Sequence, residues 1–301
     1  MAAVVVLAGG TGGAKLARGM LDVVGDDLTV IANTADDIEI YGAYVSPDPD
    51  LCAFWLADRI DQRGWGLRDD SFAVMDALRE LGDDVWFALG DRDLAIGIQR
   101  ARRIAEGARL TDTLAELGAS LGLRARVLPM ADEPVRTWVL CDSHWTPFQE
   151  FMIRPGSDAA IEDVQLRGID AALPTAEALE AIATADAIVL GPSNPVISIG
   201  PILALPQMRQ ALIDSPAPVV AVSPLVGGAV LKGPTEAFLR WAGHPLSSEA
   251  IASCYAGLID GLVADEPAGD VPLMQTDTLM GDDEGRRRVA ATTLRFAQAL
   301  A

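Results

Sequence analysis

Apolar residues fall along this chain in two rhythms. Six runs are short, nearly uninterrupted and end at a polar cluster rich in glycine or proline: residues 2–8, 28–32, 85–89, 126–128, 187–190 and 219–222. Short continuous apolar runs bounded by turn residues predict strands buried on both faces, as in a parallel sheet. Residues 258–264 predict one more. Elsewhere apolar residues recur three and four positions apart, the spacing of one helix face. That spacing predicts helices over residues 13–24, 51–62, 71–81, 93–106, 110–121, 175–184, 201–214, 247–255 and 286–299. Strand 2–8, helix 13–24 and strand 28–32 form a βαβ unit, which calls for parallel pairing. Residues 136–141 and 147–153, on either side of Asp142-Ser143-His144-Trp145, predict an antiparallel hairpin.

The expected fold class is α/β: a Rossmann-like, mainly parallel sheet with a helical insertion and one antiparallel hairpin. No repeat or linker divides the sequence, so residues 1–301 are expected to form a single domain, with the insertion at about 51–125 packed over one sheet edge as a possible lid. Ligands of open parallel sheets bind beyond the carboxyl ends of the strands. Six polar clusters at such ends predict one large polar crevice, and hence an enzyme.

Composition narrows the partners. Half of the residues are hydrophobic, which excludes a disordered chain. A formal charge of −20 argues against nucleic acid and anionic membranes, which need a basic face. It leaves room for a phosphorylated ligand met through Mg²⁺ on clustered aspartates. Cys52, Cys141 and Cys254 are odd in number and scattered, so free thiols are expected rather than disulfides or a zinc site. The two histidines, His144 and His244, read as loop residues. The first apolar stretch lacks a basic flank and reads as a buried strand, not a signal peptide. Residues 187–206 are broken by Pro192, Pro195 and Pro201, so they do not read as a membrane span. A cytoplasmic protein is expected.

The clusters carry the chemistry. Gly9-Gly10-Thr11-Gly12-Gly13-Ala14-Lys15 follows a strand and opens a helix, where backbone N–H groups can approach a phosphate. It matches neither a Walker A loop nor a strict Gly-x-Gly-x-x-Gly, but phosphate binding is the favoured reading and a tight strand-to-helix turn the alternative. Asp36 and Asp37 suit a ribose hydroxyl, a helix N-cap or, together with Asp48 and Asp50, a divalent cation. In Gly90-Asp91-Arg92-Asp93, Arg92 suits a phosphate or polar ring, or a surface ion pair. Gly191-Pro192-Ser193-Asn194-Pro195 fixes two short polar side chains between prolines, which suits contact with a nucleotide. Trp65, Trp86 and Trp145 could stack on a flat ring, but packing is the expected role of each.

Taken in order, these segments resemble the 2-phospho-L-lactate transferase family. The match runs through the glycine loop, Asn33-Thr34-Ala35-Asp36-Asp37, Ser46-Pro47-Asp48-Pro49-Asp50 and Gly90-Asp91-Arg92-Asp93-Leu94-Ala95. It continues through Asp132-Glu133-Pro134, Phe148-Gln149-Glu150-Phe151, residues 191–203 and Ser223-Pro224-Leu225-Val226-Gly227-Gly228. The resemblance implies a Rossmann-like core with a helical region over an acceptor site. It implies an Mg²⁺-dependent transfer of a phospho-organic acid from a guanosine diphospho donor to the deazaflavin alcohol Fo, giving the coenzyme F-420 core and GMP. The acid on the donor, whether phospholactate, phosphoenolpyruvate or 3-phosphoglycerate, is not legible.

Carried onto this sequence, the resemblance implies catalytic roles for Asp50 and Arg92, Fo contacts from Asp48, Asp50 and Arg92, and metal ligands among Asp36, Asp37 and Asp50. Nucleotide and phosphates would lie against Gly9, Gly10, Thr11, Gly12, Gly13, Lys15, Gly191, Ser193 and Asn194. A homodimer is expected. Two departures stand out: Pro49 and Leu51 where the family has Leu and Thr, and Ile96-Gly97 where it has Thr-His. A related family of nucleotide-sugar-binding regulators, sharing the glycine loop and the Asp-Asp turn, is the alternative. A dinucleotide-dependent oxidoreductase rests on the βαβ start alone.

Overall fold

The computed structural model describes residues 2–154 and 160–301. Seven strands build the central sheet: β1 (Val4–Ala8), β2 (Leu28–Ala32), β3 (Arg126–Pro129), β4 (Ala187–Leu190), β5 (Val219–Val222), β6 (Gly261–Ala264) and β7 (Leu273–Gln275). They lie in the order β7-β6-β5-β4-β1-β2-β3, and every neighbouring pair is parallel. The chain winds outward from β1 to β3, then returns to the other edge of β1 with β4. The strand order reverses between β1 and β4, which is where a doubly wound sheet opens its ligand crevice.

Strict alternation sends the β1 side chains into two cores. Val4, Val6 and Ala8 pack with Leu16, Met20, Val289 and Leu294 on one face, while Val5 and Leu7 pack with Ile182, Ile199, Met208 and Ile251 on the other. The first face is covered by α1 (Gly10–Val24), α2 (Pro47–Leu56) and the C-terminal helix Asp283–Leu300. The second is covered by Ala176–Ala183, Ile199–Ala204, Met208–Asp214 and Ser248–Cys254. Both faces being buried explains why the strands read as unbroken apolar runs.

Several boundaries differ from the sequence expectation. The helix expected from residue 13 starts at Gly10, and the one expected from 51 starts at Pro47, so Asp48 and Asp50 lie in its first turn. Residues 85–89 are not a strand. They pair with no neighbour, and the Phe87 N–H donates instead to the Tyr41 hydroxyl at 3.3 Å. Residues 147–153 are not the second arm of the hairpin. That arm is His144–Pro147, Phe148–Ile153 is helical, and Asp163–Arg167 adds a third antiparallel strand. The helix expected over 201–214 is broken at Leu205-Pro206-Gln207. Two small hairpins, Ile38–Ile40 with Ala43–Val45 and Leu225–Val226 with Ala229–Val230, were unforeseen, as were β7 and the helix Thr235–Trp241.

The helical insertion is present as α2, Ala73–Glu80, α3 (Asp91–Ala105) and α4 (Leu110–Ser120), with small cores of its own around Met75, Leu89 and Leu94. Cys52, Cys141 and Cys254 are free thiols. Among the described residues, no helix is long and apolar enough to cross a membrane.

Candidate active site

At the end of β1 the chain turns directly into α1. Gly10 sits at φ +65 with open space around it, a conformation that disfavours a side chain. Gly12 is glycine for another reason: a Cβ there would lie 2.0 Å from the Pro192 carbonyl oxygen. The loop after β4 packs straight onto the glycine loop, and the Gly9 N–H donates to Ser193 Oγ at 3.4 Å. Gly13 and Gly191 lie in the floor of this contact. Asn194 folds its own loop by accepting from the Val196 and Ile197 N–H groups at 2.9 and 3.3 Å. Its Nδ2 is buried without a partner.

The acids come together from the turn after β2 and the first turn of α2. Asp48, in the first turn of α2, accepts from the Gly10 N–H at 2.6 Å and from Asn33 Nδ2 at 3.0 Å. Asp36, 6% exposed, has a buried Oδ1 that makes no hydrogen bond. Burial first, then the charges of Asp48 and Asp37, raise its carboxyl well above the ordinary range; nearby Thr137 and Asn33 only partly offset this. Burial likewise pushes Asp48 up to about 6. Asp37 accepts from Ser46 Oγ at 2.8 Å, and Arg136 and Arg100 ease its charge, yet burial still lifts it to about 7.

Two cavities meet at these residues. The first, about 520 Å³, is lined by Gly9, Gly10, Thr11, Gly12 and Lys15, by Asp36 and Asp48, and by Ser193 and Asn194. The second, about 470 Å³, is lined by Asp48, Asp50 and Asp93 and by the rings of Phe54, Trp65, Trp86 and Phe87. Asp48, Trp65, Gln149 and Ile153 belong to both. Gln149 is tied in by donating from Nε2 to the Asp36 carbonyl at 3.2 Å. Trp86 and Phe87 stack with centroids 5.6 Å apart. A polar cavity at a helix N-terminus thus adjoins an aromatic one, with a carboxylate at the seam.

Not every expected residue reaches this seam. Both oxygens of Asp50 are engaged by the buried Arg100, one at 3.0 Å and the other closer, so Asp50 faces the aromatic cavity already paired. The Arg92 side chain is 52% exposed and lines neither cavity; it is bonded to Asp70 and to the carbonyls of Arg68 and Asp69. Asp37, Gly13 and Gly191, expected at the metal and nucleotide, line neither cavity. Trp65 and Trp86, expected to serve packing, line the aromatic cavity, and Trp65 is 41% exposed. Trp145 is elsewhere, beside Arg167. Gln149, Asp93 and Lys232 were not singled out as site residues; the first two stand inside quoted motifs, and Lys232 lines the polar cavity.

The departures from the family pattern have local causes. Pro49 lies in the first turn of α2, where a missing N–H leaves no helical bond unmade. A Cβ at Gly97 would meet that of Ala43 at 2.9 Å, so the hairpin occupies the space of the family's histidine.

Among the described residues, no three His, Cys, Asp or Glu side chains converge closely enough to hold a metal by themselves. Asp36 and Asp48 nonetheless fit a hard divalent cation that completes its shell with substrate phosphates. They are buried, mutually repelling carboxylates, and Asp36 Oδ1 is unmet.

Comparison with known proteins shows the family. Residues 4–293 match the model of the family described as 2-phospho-L-lactate transferase CofD. A phosphoenolpyruvate transferase of Kitasatospora aureofaciens is 39% identical, over 98% of this chain and 98% of its own length. A 2-phospho-L-lactate transferase of Methanosarcina mazei is 38% identical, over 87% of this chain and 86% of its own. A crystal structure of a UPF0052 family member from Bacillus halodurans superposes with a TM-score of 0.64 at 19% identity, covering 97% of this chain and 99% of that one; it shares the fold.

Proposed function

This chain belongs to the 2-phospho-L-lactate transferase CofD family and is a transferase, and from that premise we propose that it moves a phospho-organic acid from a guanosine diphospho donor to the deazaflavin alcohol Fo. The observation that carries this reading is the seam: two cavities of unlike character share Asp48, Trp65, Gln149 and Ile153. A nucleotide and a flat aromatic ring need such unlike cavities, and a transfer between them needs a common wall. A regulator that only bound a nucleotide sugar would have no use for the aromatic cavity.

In this reading the donor lies along the glycine loop and residues 192–194, its phosphates near the N-terminus of α1 and Lys15. Fo stacks against Trp86, Phe87 and Trp65, with its ribityl chain directed to the seam. The terminal ribityl hydroxyl attacks the phosphorus that bears the acid. The bond from that phosphorus to the bridging oxygen breaks, the bridging oxygen leaves with GMP, and the hydroxyl proton passes to water. Holding both substrates across one wall replaces a bimolecular encounter by an oriented one. Asp50, with both oxygens held by Arg100, orients the acceptor. Arg92 would have to leave Asp70 to touch it. Mg²⁺ would be held by Asp36 and Asp48, where it would offset the negative charge of the two phosphates. The acid transferred is phospholactate, phosphoenolpyruvate or 3-phosphoglycerate, and relatives are named for the first two.

Fluorescence titration tests the reading. Fo should bind saturably, and Trp86→Ala should weaken it about tenfold, the scale of one lost stacking contact, while GDP binding stays unchanged. GDP binding without any Fo binding up to millimolar concentration would sink the acceptor assignment.

A further inference from the structure

The sequence holds 43 acidic residues and only two lysines, Lys15 and Lys232. They are 217 positions apart by number, yet both line the polar cavity. Neither makes an ion pair or a hydrogen bond among the described residues, whereas Arg18, one turn along α1 from Lys15, and Arg286 each hold a carboxylate. Lys15 instead lies over the Trp55 ring at 5.8 Å, and Arg286 lies over the same ring at 5.0 Å while bonded to Asp283. Burial first, then the charges of Arg286 and Lys232, lower the Lys15 pKa. Like charges held together and unpaired in a chain of net charge −20 have an unmet demand for an anion.

A second feature points the same way. Asn194, 7% exposed, lines the cavity with its Nδ2 buried and unpartnered, a donor awaiting an acceptor. Lys232 itself stands on an exposed strap. Leu225–Val226 pairs with Ala229–Val230 across Gly227 and Gly228, both at positive φ, and Gly233 at φ +87 follows the lysine. The strap contributes Val230, Leu231 and Gly233 to the same wall.

We propose that Lys232 is the second half of a diphosphate clamp whose first half is Lys15, with Asn194 Nδ2 as a further donor. A diphosphate esterified at both ends carries one negative charge on each phosphorus, and two ammonium groups match that pair. Lys232 is thus a donor-positioning residue, placed by the strap and not by the sheet. The assignment rests on the donor reading above and adds to it the residue that recognises the second phosphate.

Inorganic pyrophosphate and GDP, titrated by calorimetry in the presence of EDTA, separate the two ideas. Lys232→Gln and Lys15→Gln should each weaken pyrophosphate by about tenfold or more, the scale of one charge-assisted hydrogen bond, and Lys232→Arg should restore most of it. Pyrophosphate affinity unchanged in Lys232→Gln, or no pyrophosphate binding by the wild type at millimolar concentration, overturns the clamp. Lysine-dependent pyrophosphate binding with GDP no tighter than pyrophosphate leaves the clamp standing and removes the guanylyl donor instead. Circular dichroism of each variant checks that the fold is kept.

Discussion

Asp48 receives the Gly10 N–H at 2.6 Å, so the helix that opens one cavity is capped by a carboxylate belonging to the helix that lines the other. The same side chain takes Asn33 Nδ2 at 3.0 Å on its second oxygen. Asp48 is therefore an acceptor twice over, and both of its hydrogen-bond partners are donors.

An amide cannot replace it. Asp48→Asn keeps the size but presents one acceptor and one NH₂ group to two donors. It should cost about 1–3 kcal/mol, the penalty for leaving a buried donor unmet, and should abolish transfer. Urea denaturation gives the first quantity and a coupled assay for GMP the second. An unchanged midpoint would mean that the Gly10 bond contributes nothing.

Arg100 is 2% exposed and holds both oxygens of Asp50. Arg100→Leu should destabilise the protein by about 2–4 kcal/mol, because it empties a buried site and leaves the half-buried Asp50 carboxylate without its partner. Adding Asp50→Asn to that variant should recover part of the loss. A double-mutant cycle with no coupling would contradict the pairing.

Asp93 provides a pH signature. Burial, with Asp50 and Asp70 adding negative charge, pushes its carboxyl up to about 7. The folded protein then keeps a proton that the unfolded chain gives up near pH 4, so stability falls as pH rises between those values and levels off above about 7. Asp93→Asn should remove this contribution, whose slope is at most about 1.4 kcal/mol per pH unit. Denaturation midpoints followed from acid to neutral pH should converge or cross for the two proteins. Parallel curves would refute the shift.

The two glycines of the loop should respond differently to alanine. Gly12→Ala drives a methyl group to 2.0 Å from the Pro192 carbonyl oxygen and must push the β1 and β4 loops apart. A loss of about 1–3 kcal/mol or more, with weakened GDP binding, is expected. Gly10→Ala meets open space and bears only the strain of its positive φ, about 1–2 kcal/mol. Thermal melts rank the two, and equal effects would remove loop packing as the reason for Gly12.

The central sheet was legible because burial on both faces leaves a signature that needs no tertiary information. Residues 85–89 have the same signature and form no strand. Two of their five side chains are the stacked Trp86 and Phe87, which turn to a cavity wall. Composition cannot distinguish a ring buried against a strand from one lining a pocket. The early start of α2 was readable in principle, since Ser46-Pro47 places proline at the first helical position. The motifs located the polar cavity through Gly9, Gly12, Ser193 and Asn194. That Asp48 faces Asp36 while Asp50 turns to Arg100 was not legible, because Arg100 lies outside the quoted motifs, further along the helix that Asp91 opens. Lys232 was visible in the simplest census, as one of only two lysines.

β1 lies between β2, which follows it at once in the sequence, and β4, whose loop reaches it across 184 positions from Gly9 to Ser193. While the chain is being synthesised, one edge of this interior strand therefore stays open until more than half of the protein has emerged. An unpaired apolar edge invites intermolecular strand addition. The same connection that puts the crevice within the sheet makes the nascent protein dependent on shielding, and a fragment ending before β4 should aggregate and have no polar cavity at all.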